Sequence, residues 1–107
     1  MRILSRLHLM SYSLEFKKSA LKEWKKLGHT IKEQFKKKLQ ERLQNPHVPS
    51  ASLSGSKNLY KIKLRQAGYR LVYSVNDNTI TVTVIAVGKR NRNEIYDVAQ
   101  NRRDEPE

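Results

Sequence analysis

The chain contains no cysteine, which excludes disulfides, thiolate nucleophiles and thiolate metal sites together. That absence fits a reducing cytoplasm, the location expected here. No apolar run approaches the ~18 residues of a membrane-spanning helix, so no such helix is predicted. His8, His29 and His47 are scattered, and no carboxylate cluster accompanies them. Metal-ligand spacing is therefore missing, and neither a metal nor a cofactor is expected. Glycine is scarce, at four residues, and neither Gly68 nor Gly88 belongs to a phosphate-binding motif. Acidic residues are few, and none occurs between Arg42 and Asn76.

What is present is positive charge. The chain has 22 Lys and Arg against 10 Asp and Glu, a net charge of +12. Such an excess stores self-repulsion and attracts polyanions. With no membrane span, nucleic acid is the expected partner. A length of 107 residues suits one domain. Hydrophobic residues make up a low 37%, but they concentrate mid-chain, which favours a folded domain with polar ends. Residues 1–9 read as a leader or N-terminal extension without chemistry. Residues 10–100 read as the domain, and 101–107 as a polar tail.

Period-2 alternation of Tyr12, Leu14 and Phe16 predicts a strand over Ser11 to Phe16. Ala20, Leu21, Trp24 and Leu27 recur at helical spacing, with Gly28 as a left-handed stop. Thr30 and Glu33 have the spacing of a capping box. Ile31, Phe35, Leu39 and Leu43 then stripe a second helix, joined to the first by Gly28-His29. Beyond the small-residue loop at 50–58 the period returns to 2. Strands are predicted at Leu59 to Arg65, Tyr69 to Val75 and Thr79 to Val87, separated by Gln66-Ala67-Gly68 and Asn76-Asp77-Asn78. Val82 to Val87 is almost wholly apolar, as in a strand covered on both faces. A last helix carries Ile95, Val98 and Ala99 on one stripe. The class is α+β: an N-terminal strand, an antiparallel helical hairpin packed on an antiparallel four-stranded sheet, and a short C-terminal helix.

Within Tyr60-Lys-Ile-Lys-Leu-Arg65, alternation sends Tyr60, Ile62 and Leu64 into the core. Lys61, Lys63 and Arg65 then stand in a row on the other face, about 6–7 Å apart. Arg70 opens the next strand. A row of lysines is more often a solvated edge. Here no acidic neighbour in sequence neutralises it, and a surface kept so positive is unfavourable until a polyanion arrives. A second cluster, Lys89-Arg90-Asn91-Arg92, is followed by Tyr96, about 100° off the apolar stripe of the last helix. Tyr96 reads equally as a packed rim aromatic or as a ring that stacks on an unpaired base. The lysines of Lys22 to Lys38 are interspersed with Glu23 and Glu33 and read mostly as a solvated face.

At these residues the sequence resembles the RelE toxins of bacterial toxin–antitoxin pairs. The resemblance runs from about Met10 to Gln100. It is carried by Ala20-Leu-Lys-Glu-Trp-Lys-Lys-Leu27, Tyr60-Lys-Ile-Lys-Leu-Arg65, Gly68-Tyr-Arg-Leu-Val-Tyr73, and Val87-Gly-Lys-Arg-Asn-Arg92 with Tyr96. It implies a cytoplasmic, metal-independent endoribonuclease that enters the ribosomal A site and cuts messenger RNA. The cut would be a 2′-OH attack on the next phosphate, and a RelB-like antitoxin would block it. It further implies Lys63 as general base, Lys61 as partner on the phosphorane and Arg70 as holder of the scissile phosphate. Arg90 would stabilise the leaving oxygen, and Tyr96 would position the nucleotide. Arg65, Lys89, Arg92 and Lys57 are the accompanying RNA-binding candidates. Two departures stand out. Ser52-Leu-Ser-Gly55 replaces a Lys-Leu-Arg-Gly pattern, which predicts weaker loop contacts with RNA, and Asn91 replaces a Glu. The competing readings are a non-catalytic RNA- or ribosome-binding protein and a gyrase-inhibiting toxin on the same scaffold.

Overall fold

The computed structural model describes residues 11–91 and 94–103. The expected leader, the Met10 boundary, Arg92 and the end of the tail lie outside the described residues. Strand β1 (Ser13–Phe16) leads into helices α1 (Lys18–Lys25) and α2 (His29–Gln44). A 3-10 turn (Pro49–Ala51) precedes strands β2 (Leu59–Leu64), β3 (Tyr69–Asn76) and β4 (Thr81–Lys89), and helix α3 (Glu94–Arg102) follows. The strands form one sheet in the order β1-β4-β3-β2. The α+β class and the element order agree with expectation.

The sheet is mixed rather than wholly antiparallel, because β1 pairs parallel to β4, Ser13 with Thr81 through Phe16 with Val84. Neighbouring parallel strands need a long connection, and everything from α1 to β3 lies between these two. Two helix-end expectations also fail. Gly28 is extended, at φ −67° and ψ 161°, and serves as the N-cap of α2. Helix α1 needs no left-handed residue because its last turn tightens: the Lys26 and Leu27 N–H groups donate to the Glu23 and Trp24 carbonyls. The helix link is therefore Lys26–Gly28. Thr30 lies inside α2 and makes no capping box, since the helix already starts at His29.

One face of the sheet is covered by the two helices. Ala20, Leu27, Phe35 and Leu39 pack there against Tyr60, Ile62, Leu64, Leu71, Tyr73 and Val75 and against Val82, Val84 and Val87 of β4. On the opposite face Leu59, Val72, Ile85 and Ala86 meet Leu53 and, from α3, Ile95 and Ala99. Strand β4 is thus buried on both faces, as its apolar run predicts. Its alternation breaks at a bulge: Val72 pairs with Ala86, but Tyr73 pairs with Val84, leaving Ile85 as the extra residue. The bulge shifts the phase, so Val84 and Val87 both reach the helix-side core.

Beyond Val84, β1 no longer covers the edge of β4. There the Val87 N–H donates to Glu23 Oε1 at 3.1 Å, and the Ile85 carbonyl accepts from Arg102 Nη1 at 3.1 Å. Arg102 closes a fork on Glu23, with Nη1 to Oε1 at 3.0 Å and Nη2 to Oε2 at 2.8 Å. This half-buried pair satisfies the strand edge and fastens α3 to α1. Asn101 and Arg102, expected in a polar tail, therefore belong to the last helix, and Glu23 is not part of a merely solvated face. Arg102→Ala and Glu23→Gln should each lower unfolding stability by about 1.5–3 kcal/mol, the scale of hydrogen bonds to charged groups. Urea denaturation checks this, and the double variant should lose less than the sum.

Candidate active site

The first requirement of the site is a row of cations on the face opposite the helical hairpin. Strand alternation supplies it: Tyr60, Ile62 and Leu64 enter the core, while Lys61 and Lys63 stay half-buried on the α3 side. Arg65 departs from the expected row. Strand β2 stops at Leu64, and Arg65 lies exposed in the following turn. That turn ends at Gly68, whose φ of +74° suits glycine. The Gly68 carbonyl accepts the Arg90 N–H at 2.6 Å, so the second basic cluster is tied to the turn of the first.

Across β2 and β3, Lys63 lies directly opposite Arg70. Like charges in that relation repel. Arg70 is only 6% exposed, and its guanidinium donates to the Tyr69 carbonyl at 3.0 Å. On its other side Arg70 faces Gly88, which has no side chain to fill the space. Lys61, Lys63, Arg70, Arg90, Ile95 and Tyr96 line one cleft of about 260 Å³. All five residues expected to be catalytic are therefore brought together. Tyr96 packs against the second core, as a rim aromatic does, and it also lines the cleft.

Burial pushes the Lys63 pKa below the ordinary lysine value, and the neighbouring charges of Lys61, Arg65, Arg70 and Arg90 push it the same way. The contributions of burial and of Arg90 are not visible in sequence, since both depend on how the chain folds back. Sequence reasoning also misses Arg42. Its Nη1 donates to the Lys61 carbonyl at 3.1 Å and to the Tyr73 hydroxyl at 2.9 Å, bracing β2 from the helix side. Its placement at the end of α2 offered no signal.

Among the described residues, the remaining candidates Lys89 and Lys57 do not line the cleft. Lys89 is exposed at the end of β4, and Lys57 is exposed in the loop before β2. The serine-containing loop sits beside the cleft: Ser52 bridges to Tyr60, and its carbonyl accepts from Lys61 Nζ at 3.4 Å. His47 belongs to a separate brace, where it and the Tyr12 hydroxyl both contact Asp77 Oδ1, at 2.8 and 2.7 Å. Among the described residues no group of three or more His, Cys, Asp or Glu could hold a metal ion. Nor is any described helix long and apolar enough to cross a membrane.

A cationic cleft with one phenol, set on a small α+β scaffold, is suited to a polyanionic ligand. Residues 14–94 match the family described as the ParE toxin of the type II toxin–antitoxin system parDE. The mRNA interferase toxin RelE of Escherichia coli K12 is 54% identical over 93 residues, covering 87% of this chain and 98% of that protein. The crystal structure of the isolated E. coli RelE toxin superposes with a TM-score of 0.75 at 52% identity, covering 86% of this chain and 98% of the other. The toxin in the intact E. coli RelBE toxin–antitoxin complex gives a TM-score of 0.74 at 54% identity, covering 77% of this chain and 100% of that one. The chain belongs to the RelE/ParE family of type II toxins.

The lowered Lys63 pKa has a stability consequence. The unfolded chain binds more protons than the folded one between the depressed value and the ordinary lysine value near 10.4. Stability from this group therefore rises with pH through that window, and the penalty is fully present at neutral pH. Lys63→Met should stabilise the fold at pH 7 by about 0.2–1 kcal/mol, the scale of a cross-strand pair. The gain should shrink as salt screens the wild-type cleft. Thermal melts across a salt series test both statements.

Proposed function

We propose that this toxin is a ribosome-dependent, metal-independent endoribonuclease that cuts messenger RNA in the ribosomal A site. The carrying observation is the convergence of Lys61, Lys63, Arg70, Arg90 and Tyr96 on one cleft. Its curated relative is named an mRNA interferase, which supports the same reading. In-line cleavage needs a base for the 2′-OH, positive charge for the phosphorane and stabilisation of the leaving 5′-oxygen. Lys63, already biased toward its neutral form, takes the 2′-OH proton. As the O2′–P bond forms and the P–O5′ bond breaks, Lys61 and Arg70 hold the non-bridging oxygens, Arg90 neutralises the leaving 5′-oxygen, which takes its proton from water, and Tyr96 stacks on or bonds to the nucleotide. Arginine is a poor acid, since its pKa exceeds about 12. Its part is therefore charge stabilisation rather than proton donation.

A bound phosphate would raise the Lys63 pKa again. Pairing that phosphate with Lys61, Arg70 and Arg90 leaves Lys63 the group best able to shed its proton. Lys89, Arg92 and Lys57 add general RNA attraction. Weak acid–base groups need a pre-oriented substrate, because alignment alone can supply about 7–11 kcal/mol of the barrier. That is the physical reason for ribosome dependence, and it sets the work in the cytoplasm. A RelB-like antitoxin is the proposed inhibitor, by analogy with the RelBE complex of the relative. A gyrase-directed toxin on the same scaffold is the alternative, and a DNA supercoiling assay separates the two.

With programmed ribosomes, wild-type protein should cleave A-site messenger in the presence of EDTA. Lys63→Ala and Arg90→Ala should each lower single-turnover cleavage by about 10²–10⁴ while ribosome binding drops modestly. The cleavage rate should climb about tenfold per pH unit and level off below the ordinary lysine range. Intact messenger with the wild-type protein would sink the proposal.

A further inference from the structure

Lys61 and Lys63 line two hollows. On the β2 edge, away from Tyr96, a second one of about 220 Å³ is lined by Arg42, Ser50, Ala51, Lys61, Lys63 and Arg65. Its charged lining is wholly cationic, and Ser50 adds a hydroxyl. The geometry of Arg42 is that of a built site rather than a drifting surface charge. Nη1 is spent on the Lys61 carbonyl and the Tyr73 hydroxyl, and the guanidinium lies over the Tyr73 ring, 5.7 Å from its centroid. The guanidinium carries five N–H donors in a rigid fork. The donors on Nη2 and Nε therefore remain available, on a side chain whose freedom is already spent. Arg65 supplies the opposite cation from the exposed turn.

Both hollows share Lys61 and Lys63, so their occupants would be separated by a single row of ammonium groups. A lone anion fills one hollow. A polymer with a charge on every unit can fill both. We propose that the Arg42–Arg65 hollow is a second phosphate subsite, which holds a backbone phosphate flanking the scissile one. This rests on the reading of the first cleft as the cleavage site. The subsite would set which stretch of RNA is gripped, and so would act on KM more than on kcat.

The test uses ribosome-bound messenger with one uncharged methylphosphonate, placed just upstream or just downstream of the cut. With wild-type protein, one of the two placements should raise KM about tenfold, the scale of a charge-assisted contact, and leave kcat within about threefold. Arg65→Ala should show the same KM rise on all-phosphate messenger, and no further rise with that methylphosphonate. Arg42→Lys, which keeps the charge but loses the fork, should fall between. If the substitution and the methylphosphonate multiply their effects at both placements, the subsite is overturned. If wild-type protein cleaves nothing, the first-cleft reading fails, and equilibrium binding of a short single-stranded RNA decides the subsite instead. Arg65→Ala should then flatten the slope of log affinity against log salt by about 0.7. An unchanged slope overturns the proposal.

Discussion

Everything about the cleft follows from two cations placed face to face. Lys63 and Arg70 are direct partners across β2 and β3, where most sheets put opposite charges or apolar pairs. The repulsion is tolerable because it is local and the rest of the sheet is dense with apolar contacts. Tyr73, Leu71 and Ile62 are essentially inaccessible on the helix side, and Val72 and Ile85 on the other. A cleft that costs stability when empty gains most when an anion enters it. Folding strain and ligand affinity are here one interaction seen in two states.

Holding that arrangement requires α3 to stay on the sheet, because Ile95 and Tyr96 form the far wall. The apolar contact of Ile95 and Ala99 is small, and the helix has only nine residues. Short helices are marginal on propensity alone. The Glu23–Arg102 fork adds directional fastening at the helix end, and it does so by meeting backbone groups that the bulge at Ile85 and the early end of β1 leave uncovered. An irregularity in the strand and the placement of the wall are therefore linked: straighten β4, and Arg102 loses its backbone acceptor at Ile85.

Periodicity made most of this legible in sequence. The strand assignments at β2, β3 and β4 needed only alternation and turn residues, and the double burial of β4 followed from its unbroken apolar run. Lys61 and Lys63 fell on one face for the same reason. What failed were features fixed by hydrogen bonds between distant segments. The parallel pairing of β1 is permitted by the long connection to β4, and it leaves no mark in the residues of β1 itself. The end of α1 is set by a tightened turn, which leaves Gly28 free to begin α2. Glu23 and Arg42 looked like ordinary members of charged helices, yet each is committed to a partner tens of residues away. A long-range contact of one side chain leaves no local period.

Arg65 shows why a row of charges read from sequence can be right in composition and wrong in geometry. Continued alternation would have put it in line with Lys61 and Lys63. The turn that begins at Arg65 takes it off the strand, and with it the third cation leaves the first cleft and joins Arg42 at the second hollow. Its charge still acts on Lys63, since Coulomb interactions fall slowly with distance while hydrogen bonds do not. One residue thus contributes to the electrostatics of the first hollow and to the contact surface of the other. The two hollows share Lys63, so an anion held beside Arg65 on the proposed reading would offset only the Arg65 share of the field on Lys63, leaving burial and the charges of Lys61, Arg70 and Arg90 to depress its pKa.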